Sequence, residues 1–272
     1  LVASQKGIAW RPLTFWEEPM REAIFVLAIC VGLMGYAATA GAYWQFPPLP
    51  QPAEYGNILI NRLSEKNGQK AVTFSHWSHR LRHACKVCHL ELGFEMRLNA
   101  TEITEEQNRQ GRFCGAGGCH DGKAAFGHTR KDQCDKCHNG NIAAGVEKFK
   151  ELDSFPKTPF GNQIDWVTAF KEKTIKPKRT ILAEQTAPIV FDKSLKLEAG
   201  WVEVPPVFFP HDAHNQWLDC SNCHPDIFNV KVKTTAHFAM QYILEGKFCG
   251  VCHLKVAFPI NDCKRCHPGM HN

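Results

Sequence analysis

Residues 74–89 read FSHWSHRLRHACKVCH and residues 209–224 read FPHDAHNQWLDCSNCH. The phenylalanine, the His-x-x-His and the Cys-x-x-Cys-His coincide at an offset of 135 residues. Twelve of the thirteen cysteines fall in pairs directly before a histidine. Five pairs have the same spacing: Cys85/Cys88/His89, Cys134/Cys137/His138, Cys220/Cys223/His224, Cys249/Cys252/His253 and Cys263/Cys266/His267. The sixth, Cys114/Cys119/His120, lies in the wider CGAGGCH.

Disulfides, structural zinc and covalent haem all use paired cysteines. A disulfide gives no reason for a histidine after every second cysteine. Structural zinc takes four ligands in a closed set, which would require a complicated pairing of six half-sites. Haem c needs two thiols for thioether bonds and an adjacent imidazole for the iron, and the motif supplies these without adjustment. The sequence therefore predicts six covalent haem c groups, with His89, His120, His138, His224, His253 and His267 as proximal ligands. Haem attachment also implies a compartment outside the cytoplasm.

Eight further histidines remain: His76, His79, His83, His128, His211, His214, His237 and His271. A lone histidine is usually an ordinary core or surface residue, but here six irons each have a second axial position to fill. Two imidazoles close the iron's coordination, hold similar geometry in both oxidation states and set a low potential. That is the chemistry of electron transfer rather than of haem catalysis. The formal charge of +5 changes with the cofactors. Six ferric haems with ionised propionates bring it to about −1, and full reduction to about −7. A nucleic-acid role has no support, because the basic residues answer propionates or a partner surface.

The elements that must position these groups are modest. Residues 23–44 carry no charge, and as a helix would span about 33 Å, enough for a bilayer core. Lys6, Arg11 and Arg21 precede the stretch, and Trp10, Phe15, Trp16, Tyr43 and Trp44 flank it. This predicts a transmembrane anchor after a cytoplasmic or interfacial segment 1–22, with the rest in the periplasm. A cleaved signal peptide ending at Ala40 is the competing reading. Cys30, inside the span, has no haem partner and reads as a small apolar residue. A proline-rich stalk is expected over 45–69, a three-haem repeat over 70–141, a connector over 142–203 and a second three-haem repeat over 204–272. In the connector, GNQIDWVTAFKEKTIKP reads as a short amphipathic helix ended by Pro177. Apolar periodicity is weak within the repeats. The predicted fold is mostly irregular chain and short α-helices wrapped around stacked haems, which supply the core that units of this size lack.

Phe-x-His-x-x-His, GKFCGVCH and the wide Cys-x4-Cys-His resemble class III multihaem cytochromes c, above all duplicated three-haem forms. The resemblance spans 74–267. It implies that His76 serves the first haem and His79 the second, His211 the fourth and His214 the fifth, a short strand-like stretch thereby joining neighbouring irons. It also implies that the remaining ligand in repeat two comes from the segment before its second haem motif, His237 or Met240, with His237 preferred. At the offset of 135 these correspond to Glu102 and Glu105, so repeat one lacks that ligand. His128, with His83 as the alternative, is expected to replace it. Otherwise the third haem is five-coordinate or takes a weak ligand such as Met96.

The anchor and stalk are similar to the hexahaem cytochrome subunits of the quinone reductase complex of sulfate reducers and of alternative complex III. This implies electron transfer between a soluble periplasmic cytochrome c and a complex of integral-membrane quinone-binding, iron–sulfur and molybdopterin-family subunits in the inner membrane. The uncharged single span offers no quinone site, so the chain is not expected to be an enzyme by itself. The competing readings are a multihaem reductase with one open catalytic haem and a structural haem wire.

Overall fold

The computed structural model describes residues 25–27, 46–128, 130–182, 190–198, 204–229 and 239–271. Residues 25–27 are helical and exposed. The remainder of the expected anchor 23–44, Cys30 included, lies outside the described residues. Among the described residues no helix is long and apolar enough to cross a membrane.

Residues 46–272 form one compact unit. It opens with an antiparallel ribbon in which β1 (Asn57–Ile60) pairs with β2 (Val72–Ser75), Asn57 opposite Ser75 and Ile60 opposite Val72. The chain passes from β2 straight into α1 (His76–Arg80). The same device recurs: β3 (Ser194–Leu197) pairs with β4 (Val207–Pro210), Ser194 opposite Pro210, and β4 runs into α5 (His211–Asn215). Between them lie α2 (Glu105–Arg109), α3 (Cys134–Cys137) and α4 (Trp166–Lys171). After them come α6 (Met240–Leu244), α7 (Gly250–His253) and α8 (Cys263–Cys266). The short helices are as the sequence predicts, whereas the two ribbons are additions to that expectation.

Two expectations change. The His-x-x-His stretch is a helical turn rather than strand-like, because the extended chain ends at Ser75 and His79 closes back on the Ser75 carbonyl. The stretch 45–69 is not all stalk. β1 belongs to the first ribbon, Tyr55 is buried, and the Tyr55 hydroxyl donates to the Ala257 carbonyl at 2.7 Å. The connector is likewise more than a spacer. Leu152 and Ile164 bury themselves against Trp77 of α1, with Phe149, Phe155 and Trp166 around them. Each such large apolar side chain contributes about 1.5–3 kcal/mol by leaving water. The amphipathic helix expected there is present but short. Asp165 caps it by accepting from the Val167 and Thr168 amides at 3.1 Å each, a contact worth about 1 kcal/mol.

The duplication extends to backbone detail. Phe113 and Phe248, 135 residues apart, both adopt positive φ, 45° and 52°. Each is followed two residues later by a glycine forced by close approach. A Cβ on Gly115 would meet the Asn108 carbonyl oxygen at 1.9 Å, and one on Gly250 would meet that of Ile243 at 1.9 Å. Only glycine fits a main chain that near, which explains the shared Phe-Cys-Gly.

Candidate haem-attachment site

In a helical turn, residues i, i+3 and i+4 share one face. The Cys-x-x-Cys-His motif places two sulfurs and an imidazole at those positions, and the backbone makes the turn. The amides of His138, His224, His253 and His267 donate to the carbonyls of Cys134, Cys220, Cys249 and Cys263 at 2.8–2.9 Å. The first motif continues into a π-helical turn, Val87–Glu91. In the wide motif the His120 amide still reaches the Cys114 carbonyl, at 3.2 Å. Ala116 (ψ 149°) and Gly117 (φ 55°) leave the helical region, so the two additional residues loop out and the closure survives.

Each of the six motif imidazoles is oriented by a main-chain carbonyl. The Nδ1–H groups of His89, His120, His224 and His253 donate to the carbonyls of Phe94, Phe126, Phe228 and Phe258 at 2.6–3.0 Å. His138 donates to Lys70 at 3.0 Å and His267 to Pro205 at 2.6 Å. The four His-x-x-His rings follow the same rule. His76 donates to Gly56, His79 to Ser75, His211 to Lys193 and His214 to Pro210, all at 2.7–2.8 Å. A proton held on Nδ1 leaves the lone pair on Nε2, the arrangement that orients a metal-ligating histidine.

Three of these rings face a motif histidine. His76 and His89 have centroids 6.4 Å apart with planes 4° from parallel. His79 and His120 are 6.1 Å apart, and His214 and His253 6.2 Å. These pairings match the expected ligands of the first, second and fifth motifs. A metal–imidazole bond of about 2 Å on each side, with roughly 1.1 Å from ring nitrogen to ring centre, separates two axial imidazoles by about 6.2 Å. The observed gaps therefore fit one iron between each pair. Burial holds three of these rings neutral, as ligands must be: it lowers His76 to about 3 and His79 and His253 to about 4. Burial also pushes the Cys88, Cys249 and Cys252 thiols to about 12 and those of Cys114 and Cys266 to about 11. The motifs thus line apolar surroundings suited to a porphyrin. Among the described residues no group of three or more His, Cys, Asp or Glu side chains converges as a zinc site would require.

The remaining expected ligands are placed differently. His237 lies outside the described residues, while Met240 opens α6 and is half-buried. In repeat one Glu105, at the Met240 position, is exposed and accepts from Arg109 Nε at 2.9 Å. His128 is half-buried in the loop before the third motif. His83 has a buried Nδ1 with no hydrogen-bond partner, unlike the ten carbonyl-bound rings.

The sequence reading noted the repeated phenylalanine without giving it a task. Phe74 stacks on His79 at 4.3 Å and meets His76 edge-on at 4.8 Å. Phe209 stacks on His214 at 4.4 Å and meets His211 edge-on at 4.8 Å. One aromatic ring thus fixes both histidines of each pair. Phe126 and Phe258 act twice, accepting from His120 and His253 and packing their rings beside them at 4.7 and 4.3 Å. The fixed spacing of Phe before His-x-x-His was the available signal.

The family described as cytochrome c7 and related cytochrome c matches residues 72–139 and 207–268, the two repeats. Among solved structures the chain is similar to the C-terminal hexahaem fragment of GSU1996, at 26% identity over 82% of this chain and 99% of that one, TM-score 0.26. It is similar to the N-terminal hexahaem fragment at 22% identity, covering 79% of this chain and 99% of that one, TM-score 0.25. Against the whole dodecahaem cytochrome c GSU1996 it shows 26% identity over 81% of its own length, TM-score 0.25. It spans 48% of that longer protein. No curated protein matches the chain. The two repeats are thus similar to cytochrome c7 and related cytochrome c, whose match is confined to them.

Proposed function

We propose that this protein is a membrane-anchored, periplasmic hexahaem cytochrome c. It carries electrons between a soluble low-potential cytochrome c and a quinone-reactive complex of the inner membrane. The observation behind the electron-transfer part is the set of three imidazole pairs 6.1–6.4 Å apart. Bound haem would supply a reversible ferric–ferrous couple, and the chain supplies everything that keeps this couple from doing other chemistry. Cys85 and Cys88 would hold the first group between His89 and His76. Cys114 and Cys119 would hold the second between His120 and His79, and Cys134 and Cys137 the third on His138. Cys220 and Cys223 would hold the fourth between His224 and His211, Cys249 and Cys252 the fifth between His253 and His214, and Cys263 and Cys266 the sixth on His267. At the three paired sites the carbonyl-bound imidazoles would exclude water and small molecules from a bound haem, and their fixed orientation would limit rearrangement on reduction.

The anchor and its partners rest on the uncharged stretch 23–44 and its basic and aromatic flanks. Quinone chemistry would belong to a partner subunit, since the span has no ionisable side chain other than Cys30 and the two tyrosines. Two measurements test the reading together. Intact-mass analysis of the mature chain should give six haems and the N-terminal stretch. Purification from membranes should bring down quinone-binding and iron–sulfur subunits. Five haems would remove Cys114/Cys119 as a site, and a start at Gly41 would remove the anchor.

A second reading has one specific observation in its favour. Glu105 turns to solvent where repeat two has Met240, so the third site lacks the ligand its counterpart would use. His128 is proposed to fill that place, with His83 as the alternative. Six low-spin signals, one of them lost in His128→Ala, support replacement. A high-spin signal in the unaltered protein that persists in both His128→Ala and His83→Ala would instead favour a reductase with an open iron.

A further inference from the structure

The two His-x-x-His helices differ in charge at two positions, Trp77 against Asp212 and Arg80 against Asn215. Arg80 ends α1, and 135 residues later Asn215 ends α5. Asn215 stays within its own neighbourhood, donating to the Phe191 carbonyl at 3.0 Å. Arg80 reaches across the molecule. Its Nη2 donates to the Val256 carbonyl of repeat two at 3.1 Å. Its guanidinium lies over the ring of Trp166 from the connector, at 5.1 Å, and near that of Trp217 from repeat two, at 5.8 Å.

This is also where the repeats dock. The Lys86 amide donates to the Trp217 carbonyl at 3.0 Å, and the Asn222 side chain donates to the His89 carbonyl at 3.3 Å. Lys86 Nζ lies 3.4 Å from Asp219. The junction therefore joins the first attachment motif to the fourth and fifth. Cys85 of the first and Cys252 of the fifth are electrostatic neighbours, and Arg80 faces both thiols as well as the Tyr55 hydroxyl. The same charge acts on His76 of the first site and His253 of the fifth.

Among the described residues no carboxylate pairs with Arg80. Its partners are one carbonyl and two aromatic faces, which hold a cation without neutralising it. Arginine does not lose its proton in proteins. A positive charge in a partly buried junction favours whichever state of a neighbouring redox centre carries more negative charge, and that is the reduced state.

We propose that Arg80 is a positioning residue for electron crossing between the repeats: its fixed charge raises the potentials of the first and fifth sites together, setting both apart from sites without such a cation. The proposal rests on the reading that Cys85/Cys88 and Cys249/Cys252 carry haem with the paired imidazoles described above. The step is a one-electron exchange in which one of the two sites is oxidised as the other is reduced, with no proton or leaving group. The tryptophans and the Val256 carbonyl keep the charge between the two sites, and repeat two, with Asn215 in the equivalent place, has no counterpart.

The test compares full-length holoprotein with Arg80→Gln, Arg80→Met and Arg80→Lys by redox titration with the individual haems resolved by NMR. Gln retains a donor for Val256, Met retains bulk, and Lys retains charge. Both neutral variants should make the first and fifth sites about tenfold harder to reduce, about 59 mV for one electron. The other sites should move less, and Lys should restore most of the shift. Unchanged potentials, an equal shift at all sites, or a Lys variant that behaves like Met would each overturn the proposal. The unaltered protein provides an independent check should the variants not fold. Its first site should reduce ahead of the fourth, which has the equivalent ligand pair without the cation, and the opposite order would count against Arg80. Peptide mass spectrometry separates the two levels of inference. Absence of haem on Cys85/Cys88 or Cys249/Cys252 would refute the underlying reading, whatever the potentials.

Discussion

The two repeats share a frame and differ in what is attached to it. Both have a ribbon leading into a His-x-x-His turn, a phenylalanine gripping the two rings, and a glycine pressed against a carbonyl oxygen 1.9 Å from where a Cβ would stand. The differences fall where a frame does not constrain them. Glu105 replaces Met240, Arg80 replaces Asn215, and connector residues Leu152 and Ile164 pack on Trp77 of the first repeat while Phe170 meets Trp217 of the second. The geometry that holds cofactors has been kept twice, whereas the residues that set their energies and remaining ligands have diverged.

The strongest way to break the comparison is to remove equivalent ligands. His79→Ala and His214→Ala should each convert one low-spin signal to high-spin, at the second and fifth sites respectively, with the other sites unchanged. Electron paramagnetic resonance of the oxidised protein reads this directly. Signals lost at other sites would mean that the ring pairs are misassigned.

Next in size are the glycines. Gly115→Ala and Gly250→Ala insert a methyl into a backbone contact, and overpacking of this kind costs about 1–3 kcal/mol. Thermal melting should fall in both variants. The drop should be smaller at Gly115, because the connector core buttresses its repeat; equal losses would show that the connector does not stabilise repeat one. The aromatic grip comes third. Phe74→Leu and Phe209→Leu should each cost about 0.5–1.5 kcal/mol beyond lost area. Each should also broaden the ligand-field spectrum of two haems rather than one, because each phenylalanine touches two rings. Broadening of a single haem would reduce the role to ordinary packing. The smallest effect belongs to Glu105→Ala, which should leave melting and spectra unchanged, since the exposed pair with Arg109 contributes little. Met240→Leu should by contrast alter the sixth site if Met240 is its ligand. No change there, with loss of a signal in His237→Ala, would assign the ligand to His237.

Much of the site was legible because covalent chemistry writes itself into spacing. Two cysteines and a histidine on one helical face must recur at i, i+3 and i+4, and the offset of 135 exposed the duplication. The ring partners of His76, His79 and His214 were accessible only through the family resemblance, and the structure brings those rings together. Less legible were features made by main-chain atoms. No side-chain pattern announces that His138 will donate to Lys70 or His267 to Pro205, each more than sixty residues away in sequence. The ribbon strand Asn57–Ile60 was hidden for a different reason. It follows a proline-rich stretch whose composition suggests a spacer, and its strand character depends on pairing with Val72–Ser75. The strength of tertiary pairing outweighs local composition here.

The looped-out pair at Ala116 and Gly117 changes how such proteins should be counted. In four of the regular motifs a histidine amide returns to the carbonyl of the first cysteine, and Cys114 and His120 accomplish this with two residues more. The functional unit is a closed ring of backbone, and the number of letters inside it is free to vary wherever the intervening chain can leave the helix. A genome survey that demands fixed spacing would find five motifs in this chain and overlook a sixth.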